Sequence, residues 1–140
     1  MDTTSELTHR ILSEFDTVAV VGLSSNPTKA AHSVPAAMHA YGWRVIPVNP
    51  NARGQLLGEK VYPRLADIPE PVDVVNVFRP SAEAAGVVRQ AVDVGAKAVW
   101  LQLGIVSAEA REIADEHGLI YVEDRCLAVE RARHALRRAG

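Results

Sequence analysis

Short unbroken apolar runs alternate along the chain with stretches whose apolar residues recur at helical spacing. The runs are Thr17-Val18-Ala19-Val20-Val21-Gly22-Leu23, Trp43-Arg44-Val45-Ile46-Pro47-Val48, Asp73-Val74-Val75-Asn76-Val77-Phe78, Ala98-Val99-Trp100-Leu101-Gln102-Leu103 and Leu119-Ile120-Tyr121-Val122. They do not alternate strictly between apolar and polar residues, so each reads as a strand covered on both faces. Between the third and fourth runs, Ala84, Val87, Val88, Ala91 and Val92 fall at i, i+3, i+4, i+7 and i+8, the buried stripe of one helix. Ser81 is placed to cap that helix and Gly95 to close it. A further helix runs from Ser107 to His117-Gly118, and an earlier one ends at Tyr41-Gly42. Pro35 fits a first helical turn, where its missing N–H costs nothing. That starts its helix near Ser33 or Val34 and leaves Ser24 to His32 as a long loop.

Five strands alternating with helices imply an α/β fold with a parallel sheet and right-handed crossovers. The expected architecture is a Rossmann-like doubly wound sheet of five parallel strands in the order 3-2-1-4-5, with helices on both faces. An N-terminal helix over about 5–15 precedes this core, which spans about 17–123, and a C-terminal helix over about 126–138 follows it. In the last helix Val129, Ala132 and Leu136 are expected to face the core, leaving Arg131, Arg137 and Arg138 as a solvated, dipole-favoured end. Asn49–Gly58 is the longest irregular stretch. All 140 residues then read as one domain.

Composition narrows the function classes. With 48% hydrophobic and 23% charged residues the chain is globular, and with 5% aromatics its core must be built mostly from Val, Ala, Leu and Ile. A net charge of −2 gives no global attraction to nucleic acid or to an anionic membrane. The single cysteine, Cys126, excludes an intrachain disulfide and a multi-cysteine metal site. The histidines His9, His32, His39, His117 and His134 show no metal-ligand spacing, so no metal is expected. Met1 to Glu6 lack the features of a secretory signal, and no run approaches the ~18 apolar residues that span a bilayer. A cytoplasmic protein is the expectation.

In sheets of this kind ligands bind outside the C-terminal strand ends, where the strand order reverses. The loops there follow Leu23, Val48, Phe78 and Leu103. The first reads Gly22-Leu23-Ser24-Ser25-Asn26-Pro27-Thr28-Lys29. Gly22 permits a tight turn, Ser24, Ser25 and Asn26 offer donors, and Lys29 adds a cation near a helix N-terminus; a phosphate or diphosphate suits this set. NAD does not, because G-x-G-x-x-G is missing and no acidic residue follows the second strand. That position reads Pro47-Val48-Asn49-Pro50, and Arg53 beyond it fits a ribose phosphate better than free hydroxyls. NADP and coenzyme A, whose adenosine carries a 3′-phosphate, both remain open on these residues.

The blocks Val21-Gly22-Leu23-Ser24 with Pro27, Gly42-Trp43-Arg44-Val45-Ile46-Pro47-Val48-Asn49-Pro50, Leu65-Ala66-Asp67-Ile68-Pro69, Val72 to Arg79, Trp100-Leu101-Gln102-Leu103-Gly104 and Asp124-Arg125-Cys126 occur in one order. In this the sequence resembles the small single-domain CoA-binding proteins of bacteria, relatives of the CoA-binding domain in the succinyl-CoA synthetase α subunit. The resemblance covers roughly Ile11 to Arg131. It implies a Rossmann-like domain with CoA lying across the strand C-termini. Gly22 and Ser24 would approach the diphosphate through the backbone, with Ser25 and Asn26 beside them and Lys29 as the cation. Val48, Asn49 and Pro50 would flank the adenosine, with Arg53 toward the 3′-phosphate. Phe78 and Arg79 would open onto the ligand, and Gln102, Leu103 and Gly104 would meet the pantetheine amides. Two positions depart from the family pattern: Lys29 stands where arginine is common, and Ala31 where a small hydroxyl residue is common. Lysine keeps the charge but loses the bidentate fork.

Cys126 lies at the same rim and reads either as a redox thiol able to pair with a bound CoA thiol or as a structural cysteine. His32 sits in the loop, against ligand or simply exposed. No serine lies in a G-x-S-x-G elbow, Asp124 lacks a partner base, and no catalytic residue is assigned. The leading expectation is a protein that binds CoA or an acyl-CoA in a Rossmann-like site, without catalysis of its own. The alternatives are a CoA-presenting subunit of an acyl-CoA ligase, which requires a protein partner, and an NAD(P)-binding redox-responsive module.

Overall fold

The computed structural model describes residues 3–138. Its elements in chain order are α1 (Thr4–Glu14), β1 (Thr17–Val21), α2 (Ala30–Ala40), β2 (Arg44–Val48), β3 (Gln55–Leu56) and β4 (Glu59–Lys60). A short 3-10 turn at Leu65–Asp67 leads to β5 (Val74–Val77), α3 (Ser81–Asp93), β6 (Ala98–Leu101), α4 (Ala108–Glu116), β7 (Ile120–Val122) and α5 (Leu127–His134). All five strands read from the sequence are present, and they form one parallel sheet ordered β2-β1-β5-β6-β7.

The strand order corrects one expectation. Numbering only the five long strands, the sheet runs 2-1-3-4-5, so the strand through Val74–Val77 pairs with β1 rather than lying outside β2. Burial explains the placement: every residue from Val74 to Val77 is buried, which suits a strand flanked on both sides. The outer side of β2 is instead met by a single parallel bridge, Val48 to Tyr62. Tyr62 donates its N–H to Pro47 O at 3.0 Å and accepts from Asn49 N at 2.9 Å. Counted as a rudimentary third strand, Tyr62 restores the Rossmann sequence of strands, and the order reverses between β1 and β5. The stretch read as irregular between Asn49 and Gly58 contains half of a small hairpin, β3–β4, whose turn residues Leu57 and Gly58 both have positive φ.

Side chains alternate between two cores. Ala19, Val21, Val75, Val77, Val99 and Leu101 pack under α3 and α4, while Val18, Val20, Val74 and Trp100 pack under α1, α2 and α5. The glycine ends read from the sequence are present. Gly95 N bonds to Val92 O and Ala96 N to Ala91 O, a closed helix terminus that returns the chain to β6. The Ser107 hydroxyl caps α4 by accepting from Ala110 N at 3.0 Å.

Three helix expectations change. Ser81 is the first residue of α3 rather than its cap, and its hydroxyl accepts from Val106 N at 3.1 Å. Helix α2 begins at Ala30, which places Pro35 in its interior. Helix α5 stops at His134, and the face it buries is set by Leu127 and Glu130; Val129 is 54% exposed and Ala132 is exposed, though Leu136 does reach the core. The reason is polar. Glu130 accepts from Thr8 Oγ1 at 3.2 Å and from Arg133 Nη1 at 3.1 Å, tying α5 to α1. Arg131 is half-buried with its guanidinium over the Tyr41 ring, and Arg138 is half-buried in an ion pair with Asp16; of the three arginines only Arg137 is exposed.

Tyr121 on β7 donates to Glu123 Oε1 at 2.6 Å, with Ser107 O at 3.1 Å. Burial, then the hydrogen bond and charge of Glu123, raise the phenol well above its ordinary value near 10. A raised folded-state value means that the unfolded chain loses this proton first as pH rises. The stability it contributes is therefore full below about pH 10 and is lost above it. Denaturant midpoints are expected to fall more steeply above that pH in the wild type than in Tyr121→Phe. Parallel profiles would exclude the effect.

Candidate functional site

At the reversal point the loops after β1 and β5 almost touch. Gly22 has φ +95°, and a Cβ there would lie 3.2 Å from Arg79 Cδ and 3.4 Å from the Phe78 carbonyl carbon. Gly22 N donates to Val48 O at 2.8 Å and Phe78 N to Val21 O at 2.9 Å, which fixes the ends of β1, β2 and β5 together. A cavity of about 230 Å³ opens here, lined by Gly22, Val48, Asn49, Pro50 and Arg79 among the expected residues. Its floor is apolar (Val21, Val48, Val87), and Pro63, Arg64, Glu83 and Gln90 complete it. Arg79 is held by Glu83, its Nη2 donating to both carboxylate oxygens at 3.1 Å.

Arg64 and Gln90 were not expected as site residues: only the Val48–Tyr62 bridge returns Pro63-Arg64 to the C-terminal edge of the sheet, and Gln90 lies well inside α3, away from the strand ends. Looking for a third Rossmann strand in Lys60-Val61-Tyr62 would have found Arg64. Asp67 bonds the Arg64 guanidinium at 3.1 Å and raises its pKa, chiefly through that hydrogen bond and then through charge. Arg53, in contrast, is exposed on the loop before β3 and does not line the cavity.

The loop after β1 is braced internally. Ser24 Oγ accepts from Asn26 N at 3.0 Å, and Asn26 Oδ1 accepts from Thr28 N at 3.0 Å and from Thr28 Oγ1 at 2.7 Å. Asn49 Nδ2 donates to Leu23 O at 2.9 Å, so Asn49 both lines the cavity and ties the loop down. Ser24 N donates to Ala31 O at 3.0 Å. With Gly22 N also engaged, the backbone donors expected at Gly22 and Ser24 are not the ones left open. The N–H groups of Ser25, Ala30 and Ala31 have no backbone partner among the described residues, and the last two are first-turn donors of α2. Ser25 and Lys29 are exposed beside them, with Lys29 at the N-cap position.

The remaining expected residues lie farther along the rim. Phe78 is half-buried against the core under α1, α2 and α5. Gln102 is buried, and its Oε1 accepts from Leu127 N at 3.3 Å and from Asn76 Nδ2 at 3.4 Å, so its amide supports α5. Leu103 is 67% exposed, and Gly104 N donates to Asp124 Oδ1 at 2.7 Å. Cys126 is half-buried at the N-cap of α5.

A wider concavity of about 570 Å³ lies over α4, but Glu112, Asp115, Glu116 and Glu123 surround a single arginine, Arg111, and that field repels phosphates. Among the described residues no cluster of three or more His, Cys, Asp or Glu could hold a metal ion, and no helix is long and apolar enough to cross a membrane.

The fold and its loops define a Rossmann-like domain with unpaired loop N–H groups and a small cavity at the switch point. The chain belongs to the CoA binding domain family, whose model matches residues 16–132. It is 38% identical over 122 residues to the uncharacterized protein YneT of Bacillus subtilis, covering 87% of this chain and 90% of that one. A hypothetical protein from Pyrococcus horikoshii superposes with a TM-score of 0.90 at 37% identity, over 96% of this chain and 94% of that one. The dinucleotide forming acetyl-coenzyme A synthetase 1 of Ca. Korarchaeum cryptofilum, in complex with phosphate and ADP, matches with a TM-score of 0.68 at 26% identity. That match covers 86% of this chain but 28% of the synthetase.

Proposed function

We propose that this protein binds coenzyme A or an acyl-CoA across the C-terminal ends of β1, β2 and β5 without catalysing a reaction on it. The observation that carries the reading is the convergence of Gly22, Asn49, Pro50 and Arg79 on one cavity at the switch point of a CoA binding domain. The adenosine enters over Val48 and Val87, between Pro50 and Pro63. The diphosphate lies toward Ser25 and the first turn of α2, where open N–H groups and Lys29 favour an anion. Arg64 at the cavity wall is better placed than Arg53 for the 3′-phosphate. The pantetheine then runs along Phe78 and the Gln102-Leu103-Gly104 edge toward Cys126.

Parallel calorimetric titrations with CoA, dephospho-CoA, NADP and NAD test this. CoA is expected to bind most tightly, and dephospho-CoA about tenfold or more weakly, the loss of one charge-assisted contact. Binding of NADP without CoA would refute the reading. Equal affinity for CoA and dephospho-CoA would remove the role given to Arg64. The likeness to part of an acetyl-CoA synthetase supports a second reading, in which the domain presents CoA to a separate ligase subunit. That version requires acyl-CoA formation only when such a partner is added.

A further inference from the structure

We propose that Pro35 and His32 are positioning residues for the loop after β1, acting through Ser24; the inference rests on the reading of that loop as the phosphate side of a CoA site. A proline inside a helix is destabilising, because it lacks the N–H owed to the carbonyl four residues back. In α2 that carbonyl belongs to Ala31. It is not left idle: it accepts the Ser24 N–H at 3.0 Å. The residue between them in the turn completes the grip, because His32 Nδ1 lies 2.7 Å from Ser24 O. A carbonyl only accepts, so Nδ1 is the protonated ring nitrogen. The first turn of α2 therefore holds Ser24 by both its N–H and its C=O.

Two further bonds on the same stretch, Asn49 Nδ2 to Leu23 O and Asn26 N to Ser24 Oγ, leave the loop little freedom. Ser25 N, Ala30 N and Ala31 N are among the donors this bracing leaves without backbone partners, and they lie on either side of the clamp. An anion meeting them finds donors already oriented, so binding need not supply the cost of ordering the loop. An interior proline is then a functional choice. Alanine at position 35 would return an N–H to Ala31 O and set it in competition with Ser24.

The test measures CoA affinity, thermal midpoint and amide exchange at Ser24 in the wild type, Pro35→Ala, His32→Leu and His32→Asn. Asparagine is the conservative replacement, since its Nδ2 occupies the place of the histidine Nδ1. Pro35→Ala is expected to exchange the Ser24 amide at least about tenfold faster and to bind CoA about three- to tenfold more weakly, while its thermal midpoint does not fall. His32→Leu should lose a similar factor in affinity and His32→Asn should recover it. Unchanged Ser24 exchange in Pro35→Ala, a fall in midpoint that tracks the loss of affinity, or identical affinities for the two His32 variants would each overturn the proposal. A wild type that does not bind CoA would instead refute the CoA reading, and Ser24 exchange would still decide the clamp.

Discussion

Gly22→Ala is expected to abolish measurable CoA binding and to cost about 2 kcal/mol of stability. Both effects come from one carbon atom. The backbone at Gly22 has φ +95°, a conformation L side chains rarely adopt, and the new methyl would stand 3.2 Å from Arg79 Cδ and 3.4 Å from both the carbonyl carbon and Cβ of Phe78. The Arg79 side chain is able to swing aside, but in doing so it abandons Glu83 and the cavity wall. Phe78 yields less readily, because its N–H is bonded to Val21 O at 2.9 Å. The strain is relieved only by parting β1 from β5 at the point where a ligand would enter. Gly54→Ala is the control: Gly54 has φ +80° but nothing within 4 Å of an added Cβ, so it reports backbone strain alone. Denaturant unfolding should show a larger loss for Gly22→Ala than for Gly54→Ala, and calorimetry should show lost binding only in the former. Full CoA affinity in Gly22→Ala would refute the placement of the site at this crossing.

What was legible in the sequence was whatever depends on near neighbours. The strand runs and the glycine-closed ends at Gly42, Gly95 and Gly118 follow from local burial pattern and φ preference, and they were read correctly. Strand order was not, because parallel strands carry no turn that fixes who pairs with whom, and the one-residue bridge at Tyr62 has no hydrophobic run to announce it. The start of α2 was misplaced for a related reason. Placing Pro35 at a helix entrance follows a sound local rule, but here a tertiary bond to Ser24 uses the carbonyl that the proline frees. On α5 an apolar stripe through Val129 and Ala132 lost to a buried carboxylate, Glu130, which only the distant Thr8 and the nearby Arg133 make tolerable. The site divides in the same way. Gly22, Asn49, Pro50 and Arg79 follow directly from strand ends, whereas Arg64 depends on a return of the chain that no local pattern encodes.

Trp100→Ala is expected to be the most destabilising single substitution discussed, at about 3–5 kcal/mol, and so to remove much of the stability of an ordinary domain. Trp100 is fully buried on β6, in register with Asn76 on one side and Val122 on the other. Its truncation empties the centre of the core beneath α1 and α5, and main-chain strands cannot collapse to fill the space. The indole also has a polar task. Nε1 donates to Arg125 O at 2.8 Å, inside a turn where Asp124 holds φ +57° ahead of Cys126, the N-cap residue of α5. Trp100→Phe separates the two contributions: it keeps most of the apolar volume and deletes the donor, for about 1–3 kcal/mol. Because Cys126 is the sole cysteine, alkylation of its thiol reads that turn directly. The Phe variant should be labelled several-fold faster than the wild type under conditions where both are folded, as local opening of an unanchored turn requires. Equal labelling would mean that the Arg125 carbonyl needs no anchor from the indole. The rim beside Gln102 and Cys126 would then owe its shape to the Gln102 Oε1 bond to Leu127 N instead.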